Sequence, residues 1–310
     1  MSDPAETYRT FLKCGGVADL SARVKLRITG ADRVRYLNGQ TTADVQRLAP
    51  GIARPACITT AKGRLCADVF IHATADALFV DADAALRDTL PARLERYIIA
   101  DDVMIEDVTD TLHLLHLGGI AATRTDLRIS TDAPRANRLG CGGVDLWLDP
   151  SVFENARDAL TDATCALDEE LLEALRIEAG IPRWGRDLDE DTLPPEAGLD
   201  RTHIDYDKGC YIGQEVISRL KSVGHVNRSL TGFIALDHAP LAPGLRIFAP
   251  DDDTREIGSI TSAAWSFALE KHIGLGYLKR GSATGELLAR PAGGTGPQRR
   301  LLVQNLPLVP

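Results

Sequence analysis

The residues best suited to chemistry in this chain form one short segment around a cysteine, Lys208-Gly209-Cys210-Tyr211-Ile212-Gly213-Gln214-Glu215. Glycines at positions 209 and 213 allow the backbone on both sides of Cys210 to adopt left-handed or tightly bent conformations. The ammonium of Lys208 can favour a thiolate, and a helix predicted from Gln214 onward places the positive end of its dipole near the thiol. The segment therefore indicates a functional site at Cys210.

Each of these side chains also has a purely structural interpretation. A cysteine is most often a small buried hydrophobic residue, and a lysine is most often a solvated surface charge. Tyr211 is equally compatible with a core aromatic position. Glu215 is explained by the favourable interaction of an acid with the first turn of a helix. The flanking glycines and the lysine, which a core cysteine does not need, favour the functional interpretation of Cys210.

The segment resembles the YgfZ-type folate-binding proteins, which are relatives of the glycine-cleavage T-protein and of iron-sulfur assembly factors. In that family the loop reads Lys-Gly-Cys, an aromatic residue, any residue and Gly-Gln-Glu, and residues 208–215 match every fixed position. Further segments resemble the family in the same order along the chain: Tyr36–Val45, Lys62–Asp68, Leu175–Pro182, Leu193–Asp200 and Ile257–Ser262. The resemblance spans roughly residues 20 to 290.

This resemblance implies an α+β, T-protein-like fold with several lobes and a small antiparallel β-barrel at its C-terminal end. Alternating short apolar runs after Asn227 agree with such a barrel. We therefore expect a folate-binding region of two lobes over residues 1–225 and a barrel domain over residues 226–310. A chain of 310 residues has ample length for two domains.

The family also implies roles for the motif residues. Cys210 is expected at the mouth of a folate cavity, where its thiol would form a mixed disulfide, attack an electrophile or bind iron. We expect Lys208 to act with Cys210 as a catalytic residue and Tyr211 to contact the cofactor. The expected cofactor is tetrahydrofolate or a derivative, without a permanent metal.

Two further groups of residues are expected to bind folate. In the T-protein the arginine of the segment that matches Arg176 helps to hold folate, whose glutamyl carboxylates suit a forked guanidinium. Arg176 and Glu178 fall on different faces of one predicted helix, so an ion pair between them is not expected. One of the two is expected to face the cavity. The alternative for Arg176 is a structural arginine packed on the following loop.

The segment before Asp68 departs from the T-protein. Aminomethyltransferases carry two consecutive aspartates here, whereas this chain has Ala67 followed by Asp68. The missing acid argues against aminomethyl transfer and leaves open whether the protein is an enzyme. Asp68 remains a candidate contact to the pterin ring, with a structural role at the strand as the alternative. Lys62 and Arg64 are expected to attract the anionic tail of folate.

Composition excludes several classes of function. The net charge is -9, with 44 acidic against 35 basic residues, which disfavours direct nucleic-acid binding. Apolar runs are too short to span a membrane, and the acidic start of the chain does not resemble a secretory signal, so we expect a cytoplasmic protein. The six cysteines show no Cys-x-x-Cys pair and are expected to be reduced. His113 and His116 would lie on opposite faces of a strand, which disfavours a shared metal.

Local patterns predict the elements that position these residues. Strands are predicted over Leu20–Ile28 and Cys66–Ile71, a helix over 168–180, and a helix broken at Pro91 over Ala84–Ile99. A long loop is predicted over Arg183–Tyr206. In the barrel, turns are predicted at Pro243-Gly244, Asp251–Asp253 and Gly274–Gly276.

Three functional hypotheses follow. The first is a tetrahydrofolate-binding protein that supports assembly, maturation or repair of iron-sulfur enzymes, with folate and iron-sulfur proteins as its partners. The second is a folate-dependent one-carbon transferase. The third is a scaffold without a small ligand that docks partner proteins through the cysteine motif. A thiol hydrolase with His203 or His225 as base is not supported by any spacing in the sequence.

Overall fold

The computed structural model of the protein describes residues 3–249, 252–282, 285–293 and 297–309. Its α-helices are α1 (Pro4–Cys14), α2 (Arg33–Gln40), α3 (Thr89–Glu95), α4 (Pro150–Ala163), α5 (Glu169–Glu178) and α6 (Gln214–Ser222). Its strands are β1 (Gly16–Asp19), β2 (Val24–Thr29), β3 (Arg54–Thr59), β4 (Leu65–Ala73), β5 (Leu78–Ala82), β6 (Met104–Asp107), β7 (His113–Gly118), β8 (Gly143–Leu148), β9 (Arg228–Ala235), β10 (Arg246–Ala249), β11 (Asp252–Ser266), β12 (Lys271–Lys279), β13 (Glu286–Arg290) and β14 (Arg299–Gln304).

The chain forms two compact units. The first unit holds the residues up to Leu167 together with Asp189–Pro194 and Leu199–Val223. The second unit holds Asp168–Leu188, Pro195–Gly198 and the chain from Gly224 onward. Helix α5 therefore groups with the C-terminal strands rather than with the sequence that precedes it. The predicted division into residues 1–225 and 226–310 stays a prediction.

The first unit is built on a five-stranded antiparallel sheet with the strand order β3-β4-β5-β2-β6. Strand β4 alternates between fully buried and half-buried residues, so its two faces meet different surroundings. One face carries Leu65, Ala67 and Val69, which are at most 1% exposed. Asp68 and His72 lie on the other face. This alternation decides which side chains of β4 can reach a ligand.

A second, three-stranded sheet of the first unit has the order β1-β7-β8. A buried ionic network joins it to the larger sheet. The guanidinium of Arg138 donates to Asp81 on β5 at 2.7 and 3.0 Å and to Asp145 on β8 at 2.7 to 3.0 Å. Although burial raises the pKa of Asp145, Arg138 and a hydrogen bond from His116 bring it below its usual range. The two sheets are thus held together by charges as well as by apolar contacts.

The second unit is a closed antiparallel barrel with the strand order β10-β11-β12-β9-β14-β13. Its interior is lined by buried aliphatic residues and Phe233. Helix α5 packs on the barrel through Ile177, which lies in a cluster with Ile273 and Leu275. The carboxylate of Asp168 caps α5 by accepting a hydrogen bond from the amide of Leu171 at 2.9 Å.

Several predicted elements are confirmed by the structure. The helix over 168–180 corresponds to α5, the strand over Cys66–Ile71 lies within β4, and the helix after Gln214 corresponds to α6. Within the described ranges, no helix is long and apolar enough to cross a membrane.

Other local predictions are wrong or fall outside the structure. The strand predicted from Leu20 begins only at Val24, and Pro91 lies in the first turn of α3, where a missing amide hydrogen costs little. Gly274–Gly276 lies inside β12 rather than in a turn. A Cβ at Gly276 would stand 2.2 Å from the carbonyl oxygen of Ser259, so close strand packing explains that glycine. Asp251 lies outside the described residues.

Candidate functional site

The cysteine loop ends in a glycine whose conformation excludes other residues. Gly213 has φ +90° at the N-cap of α6. A Cβ there would stand 2.5 Å from the carbonyl oxygen of Thr60. Gly209 has no such requirement, since its φ is not positive and a Cβ would meet none of the described atoms within 4 Å. The predicted need for glycine is therefore confirmed at position 213 and wrong at position 209.

The loop presents Cys210 to solvent and is held on its C-terminal side. Cys210 is exposed and precedes the first residue of α6 by four positions. The amide of Ile212 donates to the carbonyl of Gly39 at 3.2 Å, and the carbonyl of Ile212 accepts from the Thr59 hydroxyl at 2.5 Å. An accessible thiol thus stands on a loop whose end is fixed by hydrogen bonds to the end of α2 and to β3.

Lys208 is occupied by backbone groups. Its ammonium donates to the carbonyl oxygens of Asn38 at 2.6 Å, Thr41 at 2.7 Å and Ala43 at 2.7 Å. Burial lowers the pKa of Lys208 to about 8, so the ammonium still predominates at neutral pH. An ammonium has three N–H donors, and all three are used here. The structure therefore leaves Lys208 no donor for a thiolate at Cys210, and the expected catalytic role is not supported.

Tyr211 is 8% exposed, and its ring packs with Ile204 and Ile217. Its hydroxyl is buried and has no hydrogen-bond partner in the described part of the chain. Burial raises the pKa of Tyr211, with further contributions from Tyr206 and Cys57. A buried hydroxyl without a partner costs about 1–3 kcal/mol, so it marks a place where a ligand or water could bind.

Asp68 shows the same feature on β4. Its Oδ1 atom is buried and finds no hydrogen-bond partner among the described residues. Burial raises the pKa of Asp68, and Arg23 opposes this only in part. Burial thus makes this carboxyl easier to protonate than an exposed aspartate. Cys57 on β3 lies directly opposite Asp68 in the strand register.

Ala67 points away from Asp68. It is 0% exposed and belongs to the apolar face of β4. Successive residues of a strand point to opposite faces, so an acid at position 67 would enter the apolar core of the sheet rather than join Asp68. The lack of an acid at this position therefore says less about the chemistry of the Asp68 face than the sequence suggested.

The two basic residues of the β3–β4 hairpin differ in their contacts. Lys62 is exposed. Arg64 donates to the carbonyl of Asp191 and lies 3.2 Å from its carboxylate. A role of Lys62 or Arg64 in attracting folate carboxylates stays a prediction.

All hydrogen-bond donors of Arg176 are used within the second unit. Its five N–H groups donate to the Glu173 carboxylate, the Asp187 carboxylate, the Ile181 carbonyl and the Ser262 hydroxyl. The residue is 6% exposed. No donor remains for a folate carboxylate, so the structure favours the alternative of a structural arginine.

Glu178 is likewise bonded inside the second unit and, as expected, does not pair with Arg176. Its carboxylate accepts from the hydroxyl of Ser266 at 2.6 Å, and its carbonyl accepts from the amide of Leu308 at 2.7 Å. Burial raises the pKa of Glu178. The cofactor-binding assignments of Arg176 and Glu178 therefore gain no support from their contacts.

A charged cavity of about 460 Å³ borders the cysteine loop on the side of Lys208. Its lining comprises Asp44, Arg47, Leu48, Ala49, Ile52, Arg54, Asp205, Tyr206, Asp207 and Lys208. Arg54 pairs with Asp205, and Arg47 lies 3.4 Å from Asp44. Because these charges are largely paired with one another, the cavity offers little net attraction for an ion.

Sequence reasoning missed several residues near the site. Cys57 and Thr59 on β3 carry no local signal, because their relevance depends on strand register. The only local signal for Tyr206 is an aromatic residue close to the motif, since its packing against the loop is not visible in the sequence. The buried Cys57, whose pKa is raised well above its ordinary value by burial, lies beside Asp68.

Two protein-family models match the chain. The GCVT N-terminal domain matches residues 5–134, and the glycine cleavage T-protein C-terminal barrel domain matches residues 228–299. Together they account for well over half of the chain. The second match begins at the first strand of the barrel.

Known proteins resemble the chain over most of its length. It is 29% identical over 307 residues to the mitochondrial aminomethyltransferase of Flaveria trinervia, covering 86% of this chain and 72% of that protein. It is 26% identical over 293 residues to an aminomethyltransferase of Halalkalibacterium halodurans, covering 85% of this chain and 78% of that protein.

A solved structure shares the fold. The crystal structure of glycine cleavage system aminomethyltransferase T from Bartonella henselae superposes with a TM-score of 0.87 at 19% identity, covering 99% of this chain and 89% of that chain. The expected α+β fold with a C-terminal antiparallel barrel is confirmed.

Proposed function

We propose that this chain, which belongs to the glycine cleavage T-protein-like family, binds tetrahydrofolate and supports iron-sulfur enzymes through the thiol of Cys210. The observation that carries the folate part concerns two of the buried polar atoms that lack a partner among the residues described, Asp68 Oδ1 and the Tyr211 hydroxyl, which both belong to residues near Cys57. Folate supplies one-carbon chemistry when bound. Membership in the YgfZ-type branch rests on the motif at residues 208–215.

Asp68 Oδ1 and the Tyr211 hydroxyl are chemically suited to bind the pterin ring of a folate. A pterin ring carries several hydrogen-bond donors and acceptors along its edge. The Asp68 carboxylate can accept hydrogen bonds from ring N–H groups, and the Tyr211 hydroxyl can both donate and accept. Cys57 links the two, since it lies opposite Asp68 in the register and contributes to the raised pKa of Tyr211. These residues would bind and orient the ring.

Calorimetric titration of the reduced protein with tetrahydrofolate, without oxygen, tests the folate part. Tyr211→Phe and Asp68→Asn should each weaken binding by about 1–2 kcal/mol, roughly 5- to 30-fold in Kd, because each removes or alters one buried hydrogen-bonding group. Tyr97→Phe and Asp76→Asn, at exposed positions of the same unit, are the matched controls. Absence of binding at millimolar ligand would remove folate from the proposal and favour a docking scaffold.

The proposed role of the thiol rests on the solvent exposure of Cys210. Cys210 and Cys141 are the exposed cysteines of the described chain, and Cys210 alone lies in the motif. An exposed thiol on a loop with a fixed end is available to a partner protein. Cys210→Ser is therefore expected to fail in restoring cluster-dependent enzyme activity to a strain that lacks the gene, whereas Cys141→Ser restores it. Full rescue by Cys210→Ser would remove the thiol from the mechanism.

A second candidate function is a folate-dependent one-carbon transferase. Two observations favour it: relatives at 26% and 29% identity are named aminomethyltransferases, and Ala67 faces the apolar core, so its lack of a carboxylate leaves the Asp68 face unchanged. The test is turnover of aminomethyl or N-methyl donors with tetrahydrofolate. Turnover that Asp68→Asn abolishes would establish this function in place of the first.

A further inference from the structure

The three carbonyls that hold Lys208 lie at and just beyond the C-terminal end of a helix. Asn38 lies in the last turn of α2, Thr41 is its C-cap, and Ala43 follows two residues later. The last carbonyls of a helix lack partners inside the helix and carry its partial negative charge. The ammonium of Lys208 therefore caps α2 from a position 165 to 170 residues away in sequence.

The same segment, residues 38–43, contacts the chain on both sides of Cys210. Before the motif, the Thr42 hydroxyl donates to the carbonyl of His203 at 2.6 Å, and the amide of Asp205 donates to the carbonyl of Thr42 at 2.9 Å. After Cys210, the amide of Ile212 donates to the carbonyl of Gly39. Lys208 thus lies between two sets of hydrogen bonds that fasten one loop to the other.

We propose that Lys208 is a positioning residue for Cys210, which sets where the thiol stands by holding its loop against residues 38–43. This inference deepens the proposed function and rests on the role given there to the thiol. Three acceptors around one tetrahedral ammonium explain why a lysine stands here: a planar guanidinium presents its donors in a fork and does not match this arrangement. Lys208 acts through backbone geometry and not through its charge on the sulfur.

Chemical rescue tests this assignment. Lys208→Ala leaves space for a free alkylammonium ion to occupy the three carbonyls. The readout is the rate of alkylation by iodoacetamide, in which the thiolate displaces iodide, measured for each cysteine by peptide mass spectrometry. The other exposed thiol, Cys141, is an internal reference in the same chain. We expect the ratio of Cys210 to Cys141 labelling to shift by about threefold or more in Lys208→Ala, because the loop opens locally.

Propylammonium is expected to restore the wild-type ratio, whereas tetramethylammonium at equal concentration, which has no N–H donor, is not. Lys25→Ala is the matched control, because Lys25 is also buried and its ammonium donates to two carbonyls, of Ser21 at 2.6 Å and Arg23 at 2.8 Å, away from the motif. Lys25→Ala should leave the ratio of Cys210 to Cys141 labelling unchanged.

An unchanged ratio in Lys208→Ala, an equal shift in Lys25→Ala, or equal rescue by both cations would overturn the proposal. If Lys208→Ala does not fold, Lys208→Gln serves instead. Its amide can donate to two of the three carbonyls, so an intermediate shift is expected and a wild-type ratio contradicts the assignment. The assay contains neither folate nor an iron-sulfur protein, so its outcome is independent of whether the proposed function holds.

Discussion

Replacing His72 with phenylalanine should make the first unit markedly less sensitive to acid. His72 is 8% exposed on β4, and its ring lies 5.0 Å from that of Phe79 and 4.7 Å from that of Trp147. Burial lowers the pKa of His72 from 6.5 to about 4. In His72→Phe the aromatic contacts are retained and the titrating group is removed.

The sign follows from proton linkage. Between pH 6.5 and 4 the unfolded chain binds a proton at His72 that the folded chain does not, so the free energy of unfolding falls as the pH falls through this window. One pH unit corresponds to about 1.4 kcal/mol per proton, which gives a loss of about 3 kcal/mol across the window. Above pH 6.5 this histidine contributes no pH dependence. Burial also lowers the pKa of His203 to about 4, so His203 contributes the same acid sensitivity to the parent protein and to His72→Phe.

The assay is urea unfolding followed by the fluorescence of Trp147, which contacts His72 directly. Trp184→Phe and Trp265→Phe remove the other tryptophans of the chain, which has three. The free energies of unfolding of the parent and of His72→Phe should differ by about 3 kcal/mol more at pH 4 than at pH 7. His225→Phe, at an exposed position, is the control. Parallel pH profiles for the parent and His72→Phe would refute the reasoning.

Two further predictions concern the same unit. Arg138→Met should lower the free energy of unfolding by about 3–5 kcal/mol, because it leaves the buried Asp145 carboxylate without its arginine partner. Arg124→Met, which breaks a pair with the exposed Asp126 and a hydrogen bond to the Ala163 carbonyl, should cost far less in the same urea titration. Gly213→Ala should lower the free energy of unfolding by about 1–3 kcal/mol, because the backbone at this position is left-handed and a Cβ would approach a carbonyl oxygen. Gly209→Ala should change the free energy of unfolding by no more than about 0.5 kcal/mol. Equal effects at the two glycines would contradict the assignment of the loop conformation.

Local sequence signals predicted the elements that local interactions form. The acidic start and apolar periodicity of 168–180 specify α5, whose cap is Asp168 itself. The motif likewise predicted α6 and the left-handed backbone of Gly213, because both depend on residues that are close in sequence. The resemblance to T-proteins supplied the fold and the position of the barrel at the C-terminal end, which periodicity alone does not determine.

Long-range partners could not be predicted in this way. The acceptors of Lys208, and the Ser262 hydroxyl that accepts from Arg176, come from distant parts of the chain, and no local spacing predicts them. Ala67 illustrates a second limit. The resemblance to the T-protein suggested that a partner of Asp68 is missing at this position, but strand alternation places the two side chains on opposite faces. Gly274 and Gly276 illustrate a third limit, because glycine is favoured both where strands pack closely and in turns.

The ionic network between the two sheets of the first unit has a consequence for how the sequence can vary. Arg138 pairs with Asp145 and Asp81, and Asp81 also pairs with Arg23, so losing Arg138 or Asp145 alone leaves a buried charge in excess, whereas Asp81 keeps a partner. Replacing Arg138 and Asp145 together by apolar residues of similar volume would avoid that cost. Among relatives, these two positions should therefore change together or not at all, and they should stand out as a coupled pair when their sequences are aligned.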